Sequence, residues 1–356
     1  MSKSETSSVL RDFEHLAHLS QSTDIRCLTG MRPSGKLHLG HYVWALESWK
    51  KFQDATNVKC QFLLADYHVM GDRHDMDALR ENMHEVVLDW LSVWLDPEKS
   101  DFVAQSYVPE TAELTQFLMN FTPFSELTSN PTLKNELKQV EGQWTSITAW
   151  FATYPISQGA DILLPKCHVV PVGEDQLPHI ELARKIARIM NKQCGSDIFP
   201  LPKAFVGKIG RLTGIDGKAK ASKTLWNAIE LSETSDSLRK KVNKMYTDPG
   251  RIRATDPGKI EGNVVFAYLD AFLHDEWRLN EYKTRYEAGT ISDREMKEIL
   301  YEILDSFLQP IREKRAEYAQ DRWYVSRIIQ EWSNRAREIA QKTIQEVKDG
   351  LGISNY

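Results

Sequence analysis

Apolar and polar positions over the first third of the chain follow two rhythms in turn. Residues 26–29 (Arg-Cys-Leu-Thr) make a short buried run that stops at Gly30, and from Gly40 onward Tyr42, Ala45, Leu46 and Trp49 fall on one helical face. Lys59–Ala65 reads as a second strand. The helix after it, with Asp77 as its cap, keeps Met83, Val86, Val87, Trp90, Leu91 and Trp94 on one face until Asp96-Pro97 stops it. A third strand is expected over Phe102–Gln105. Strands parted by helices of this length make right-handed crossovers. The pattern therefore predicts a doubly wound parallel α/β sheet, Rossmann-like, with its ligand beyond the carboxyl ends of the strands. His168–Val172 supplies a further strand, and Ile180, Ala183, Ile186, Ala187 and Met190 the helix behind it.

After about Asn227 the strand rhythm stops. Met296-Ile299-Leu300-Ile303-Leu304-Phe307 and Trp323-Ile328-Trp332 keep helical spacing, so 228–356 is expected to be an all-helical C-terminal domain behind a catalytic domain over 25–227. Thr-Asp-Pro-Gly at 247–250 and again at 255–258 reads as a pair of turns. Within residues 1–24, Val9, Leu10, Phe13, Leu16 and Leu19 have the spacing of a short amphipathic helix, expected to pack on the body. The acids in that stretch, Glu5, Asp12, Glu14 and Asp24, argue against a secretory signal.

Composition narrows the class. A length of 356 residues suits two domains, and no apolar run approaches the roughly 18 residues of a membrane span, so a soluble chain is expected. Cys27, Cys60, Cys167 and Cys194 are scattered with no Cys-x-x-Cys pair, which fits reduced thiols of a cytoplasmic protein and argues against a structural metal. The net charge of −5 makes general binding to DNA unexpected; any RNA contact must be local. Two stretches offer local positive excess. One is 236–259, with Arg239, Lys240, Lys241, Lys244, Arg251, Arg253 and Lys259. The other is 311–342, with Arg312, Lys314, Arg315, Arg322, Arg327, Arg335, Arg337 and Lys342.

Two segments carry phosphate chemistry on their own terms. Gly30-Met31-Arg32-Pro33-Ser34-Gly35-Lys36-Leu37-His38-Leu39-Gly40-His41 joins the first strand to the first helix, where glycines admit close backbone approach and two imidazoles stand at a helix start. A tight turn with exposed histidines is the plainer alternative. Gly217-Lys218-Ala219-Lys220-Ala221-Ser222-Lys223-Thr224 sets lysines in a small-residue loop able to close over a triphosphate, or merely solvated.

Four matches turn these features into a family resemblance. His38-Leu39-Gly40-His41 resembles the HIGH motif of class I aminoacyl-tRNA synthetases, and Lys220-Ala221-Ser222-Lys223-Thr224, within a loop at 217–226, resembles their KMSKS loop. Ala221, Thr224 and Trp226 depart from that pattern, while both lysines and the serine are kept. Val170-Pro171-Val172-Gly173-Glu174-Asp175-Gln176 and Tyr154-Pro155-Ile156-Ser157-Gln158-Gly159-Ala160-Asp161 resemble segments of the tryptophanyl-tRNA synthetase family.

The resemblance implies ATP with Mg2+ as substrate complex, L-tryptophan and tRNA(Trp) as partners, a homodimer, and anticodon reading by the helical domain. It assigns His38, His41, Lys134, Lys220 and Lys223 to catalysis, and Arg32, Ser34, Gly40, Asp175 and Ser222 to ATP. Tryptophan falls to His68, Tyr154, Gln158, Asp161, Val170, Val172 and Gln176, with Asp161 accepting the indole N–H; Asp66 stands beside His68 at a strand end, and Asp175 is expected to pair with Lys134. Gln158 is also the residue found in tyrosine-specific relatives, so a tyrosine ligase stays open, as does a paralogue that binds tryptophan without charging tRNA.

Overall fold

The computed structural model describes residues 8–13, 25–71, 77–140, 148–207, 212–223, 225–251, 253 and 255–354. Six strands form one parallel sheet: β1 (Val9–Leu10), β2 (Ile25–Met31), β3 (Val58–Leu64), β4 (Ser100–Ala104), β5 (Val169–Pro171) and β6 (Lys203–Phe205), in the order β1-β6-β5-β2-β3-β4. From β2 the chain adds β3 and β4 on one side, then returns to lay β5 and β6 on the other. The reversal opens a crevice between β2 and β5 at their carboxyl ends, the ligand position of such sheets. Cys27 of β2 lies in register with Cys60 of β3 and Val169 of β5. Phe62, Leu64, Phe102 and Val103 are fully or nearly fully buried because helices cover both faces.

The helix after β2 begins at Leu39, passes through a π-helical turn at Tyr42–Leu46 and continues over Glu47–Asp54, with Ala45, Leu46 and Trp49 buried as expected. The next helix, Leu79–Ser92, starts on Ala78 without a side-chain cap, so Asp77 is not its N-cap. It also ends four residues before Asp96. Trp94, at φ 62°, takes the left-handed position, and the Leu95 N–H bonds the Trp90 carbonyl at 3.1 Å, closing a Schellman-type ending. Trp94 is thus turned out to solvent instead of completing the buried face.

The N-terminal reading needs correction. Within the expected extension, Val9 and Leu10 form a strand on the open edge of β6, in register with Ala204 and Phe205, and Phe13 packs 4.7 Å from both Phe52 and Phe205. Two apolar residues in a row fit either a helix or a buried strand; an unpaired edge offering backbone donors and acceptors decides for the strand. Leu16 and Leu19 lie outside the described residues.

Beyond Asn227 the long elements are helices, as the spacing predicts: Ser235–Asn243, Val264–Phe272, Glu276–Glu287, Asp293–Ala319 and Arg322–Gly350. Met296, Leu300, Leu304, Leu308 and Ile311 are buried on one stripe of the fourth. Each stabilises the packing by roughly 1.5–3 kcal/mol. The last helix returns to the sheet, where Ser333 Oγ accepts the β4 Ala104 N–H at 3.0 Å and Ala336 and Ala340 allow close approach. Trp323, expected on its buried face, is 70% exposed; Val325, Ile328 and Ile329 fill that face. No helix among the described residues is long and apolar enough to cross a membrane.

Candidate active site

β2 ends at Met31, and the turn that follows delivers His38 to the crevice. The buried His38 donates its backbone N–H to His41 Nδ1 at 3.2 Å, and the two rings lie 3.8 Å apart. A Cβ on Gly40 would stand 2.8 Å from the His38 ring and 3.5 Å from Ala221 Cβ, so only glycine lets the ring and the lysine loop close over this turn.

The lysine loop is built by backbone pairing. Ala221 N–H bonds the Leu212 carbonyl at 3.0 Å and Gly214 N–H the Ala219 carbonyl at 2.8 Å. The next stretch then zips onto the histidine motif, Leu39 N–H to the Ile229 carbonyl and Leu231 N–H to the Leu37 carbonyl, both at 2.9 Å. Two motifs far apart in sequence thereby become one structural unit. Lys223 reaches back across it, its Nζ 3.5 Å from Ser34 Oγ and 3.6 Å from where a Cβ on Gly35 would lie. Ser34, Arg32 and Lys220 are exposed at the same mouth.

Asn227, which sequence reasoning passed over, organises the loop. Its buried amide accepts the Ser222 N–H at 2.8 Å and donates to Asp216 Oδ1 at 3.1 Å and to the Lys220 carbonyl at 3.4 Å. The neighbouring Trp226 is 89% exposed at φ 54°, a conformation that favours glycine, which is the physical reason glycine suits that position. Thr224 lies outside the described residues.

Burial dominates the electrostatics here. It lowers His38 to about 4, with Lys223 and then Lys241 adding repulsion, and holds His41 well below its ordinary value with help from His38 and Lys223. Burial also lowers Lys223 to about 8, opposed by Asp89 and Glu230. At neutral pH the pair of imidazoles is uncharged and Lys223 is cationic but easily deprotonated. An arriving polyphosphate stabilises the protonated forms of all three.

On the other side of the crevice, helix Ala149–Leu163 presents Tyr154, Gln158 and Asp161 along one face, started by the Thr148 cap. Both oxygens of the buried Asp161 accept from Gln105 Nε2, at 2.8 and 3.0 Å, and His68 Nε2 stands 3.4 Å from Oδ2. Gln105 is fully buried and was not foreseen. Asp66 braces the same corner, its Oδ1 accepting the backbone N–H of Tyr67 and of Ser106. Flat walls surround it: Trp150 stacks on Tyr154 at 5.6 Å and meets His68 edge-on at 5.4 Å. Trp150, one helical turn before Tyr154, was also missed; the i, i+4 aromatic spacing was the available signal. Tyr154 Oη donates to Glu136 at 2.6 Å and lies 3.1 Å from His179 Nε2.

Gln158 Nε2 donates to Gln176, which in turn donates to Asp175 Oδ2, so these three predicted residues form one polar chain. Val172 is half-buried at the end of β5, whereas Val170 is buried in the core. Lys134 is exposed on helix Pro131–Val140 and forms no ion pair with Asp175; the two segments are joined instead by Thr132 Oγ1, which donates to the Asp175 carbonyl at 2.8 Å. Asn130 caps this helix, its Oδ1 accepting the Thr132 and Leu133 N–H, so that Thr132 in the first turn meets Asp175.

A basic groove of ≈ 1400 Å³, lined by Arg26, Lys59, Lys166, Arg188 and Lys192 among others, lies at the opposite, amino ends of the strands. A second cavity, ≈ 20 Å³ between Asp161, Gln105, Ala336 and Ala340, has room for a water and not for an indole. Many cations put forward for RNA contact are engaged within the chain: Arg239 with Glu298, Arg312 with Asp305, Arg322 with Glu81 and Arg337 with Glu110.

A family model described as tRNA synthetases class I (W and Y) matches residues 20–309. The chain belongs to this family. It is 45% identical over 332 residues to the tryptophan–tRNA ligase of Clostridium longisporum, covering 92% of this chain and 97% of that protein. Against the tryptophan–tRNA ligase of Streptococcus pneumoniae serotype 4 the identity is 45% over 335 residues, 92% of this chain and 98% of that protein. The crystal structure of the Campylobacter jejuni tryptophanyl-tRNA synthetase complexed with ADP and tryptophan superimposes with a TM-score of 0.80 at 32% identity, covering 92% of this chain and all of that one. These class I synthetases share the parallel sheet and the helical C-terminal region described above.

Proposed function

We propose that the chain is a tryptophan–tRNA ligase that activates L-tryptophan with ATP and transfers it to tRNA(Trp). The observation that carries this reading is the joining of two phosphate-directed loops, through the Leu37–Leu39 and Ile229–Leu231 pairing, at the same crevice as a buried carboxylate walled by aromatic rings.

Indole has one donor and no acceptor, so a carboxylate held by Gln105 and His68 is a suitable reader, with the ring entering from the His68 side. Tyr154 and Gln158, the latter bonded to Gln176 and through it to Asp175, are taken to hold the ammonium group. The tryptophan carboxylate then attacks the α-phosphorus of ATP and pyrophosphate leaves. His38 and His41 donate to the phosphate oxygens, while Lys220, Lys223 and Lys134 neutralise the charge that moves onto pyrophosphate. Arg32, Ser34, Gly40 and Ser222 shape the mouth. The loops offer imidazole and ammonium groups, so magnesium enters with ATP, held by phosphate oxygens and water. No protein nucleophile is required; catalysis is positioning plus electrostatics. In the second step the 3′-terminal ribose hydroxyl of tRNA attacks the adenylate carbonyl and AMP leaves.

We assign 25–227 to catalysis and 228–356 to anticodon reading, and take the working form to be a cytoplasmic homodimer. The tyrosine reading loses ground because relatives over 92% of the chain are named for tryptophan. Charging of total tRNA by the purified chain tests the reading: acid-stable incorporation of tryptophan and not tyrosine supports it. Tryptophan activation without charging would favour the paralogue.

A further inference from the structure

Helix Asp293–Ala319 reaches the supports of both phosphate-directed loops with two arginines one turn apart, Arg315 at Asp89 behind the histidine motif and Arg312 at Glu233 beyond the lysine loop. Arg315 Nε donates to Asp89 Oδ1 at 2.8 Å, and its Nη2 donates to Glu85. Asp89 is fully buried, and its other oxygen accepts the Leu37 N–H at 2.6 Å, immediately before His38. Arg312 Nη1 donates to the Glu233 carbonyl at 3.1 Å, while its Nη2 is fixed by Asp305 at 2.7 Å. Glu233 ends the stretch whose Ile229 and Leu231 pair with the histidine motif, and its carboxylate also receives Lys241.

A buried carboxylate is costly to desolvate, and packing alone would be served as well by an apolar residue. Asp89 does what an apolar residue cannot: it converts the position of Arg315 into the position of the Leu37 amide. We propose that Arg312 and Arg315 are positioning residues, by which helix Asp293–Ala319 sets the register of the two ATP-handling loops. The proposal rests on reading those loops as the ATP site. It implies that displacement of this helix, by RNA or otherwise, alters ATP turnover before it alters tryptophan binding.

The test is amino-acid-dependent ATP–pyrophosphate exchange by the full chain and by Arg315→Met, Arg315→Lys and Arg312→Met, with ATP and tryptophan varied separately. Arg315→Met should raise KM for ATP and lower kcat by roughly 10- to 100-fold in kcat/KM, as expected for a small misplacement of reacting groups, with KM for tryptophan within about twofold. Arg315→Lys, able to keep one bond to Asp89, should recover most of kcat. Should Arg315→Met fail to fold, Arg312→Met, whose loss leaves no buried charge, must show the same split in milder form. Rates equal to wild type in both arginine variants, or equal rises in both KM values, would overturn the inference. A wild-type chain inactive with every amino acid would instead overturn the function from which it starts.

Discussion

Replacing Asp161 by asparagine keeps the volume of the side chain and changes only what it offers. In the native site both carboxylate oxygens accept from Gln105 Nε2 and one faces His68 Nε2 at 3.4 Å. The asparagine keeps one oxygen for Gln105 Nε2, while its Nδ2, in the place of the other oxygen, faces that same donor, so the two amides must move slightly apart. With the volume and one Gln105 bond kept, the chain should still fold, at a cost that the thermal melt measures. What is lost is a charged acceptor for the indole N–H, worth about 1.5–3 kcal/mol. At about 1.4 kcal/mol per tenfold, kcat/KM for tryptophan should fall about 10- to 150-fold. Exchange kinetics with tryptophan varied at saturating ATP read this directly, with a thermal melt as control for folding. Unchanged efficiency would show that another group reads the indole. An equal loss in the ATP parameters would show general damage and not substrate recognition.

Lys223 gives a pH prediction whose sign follows from its lowered value of about 8. ATP binds the cationic form, so KM for ATP should be flat below pH 7 and rise about fivefold between pH 8 and 9 as the free site loses that proton. Lys223→Arg should flatten the profile, and a flat wild-type profile would count against Lys223 as a phosphate partner. Asn227→Ala removes the amide that accepts from Ser222 and donates to Lys220 and Asp216, so the lysine loop should lose its register. At about 1–3 kcal/mol for the disrupted hydrogen bonding, kcat in the exchange assay should drop about 5- to 150-fold while tryptophan affinity by calorimetry stays put; a fall in tryptophan affinity would contradict this.

Local pattern carried most of the architecture and some of the site. Strands β2 to β5 and the buried faces of Glu47–Asp54 and Asp293–Ala319 are readable because burial repeats at the period of the element. Val9–Leu10 was misread because two residues carry no period, and their state is set by the free edge of β6. The motif residues His38, His41 and Lys223 were legible as types, but not their meeting, which depends on backbone pairing across the Leu37–Leu39 and Ile229–Leu231 stretches. Gln105, Asn227 and Asp89 were missed for one shared reason. Each is a buried polar residue whose partner is chosen by the fold: Asp161 for Gln105, Ser222 for Asn227, Arg315 and Leu37 for Asp89. A polar residue in a core-like run is a sequence signal of such a role, since burial without partners is penalised. Arg312, Arg322 and Arg337 are paired with acids of the chain in the same way, while Lys240, Lys244 and Lys342 are exposed.

Exchange of labelled pyrophosphate into ATP by the purified chain, run separately with each of the twenty amino acids, tests the central claim most directly. The account predicts exchange driven by tryptophan and at most weakly by tyrosine or phenylalanine. Exchange driven by tyrosine without tryptophan, or by no amino acid at all, would contradict it.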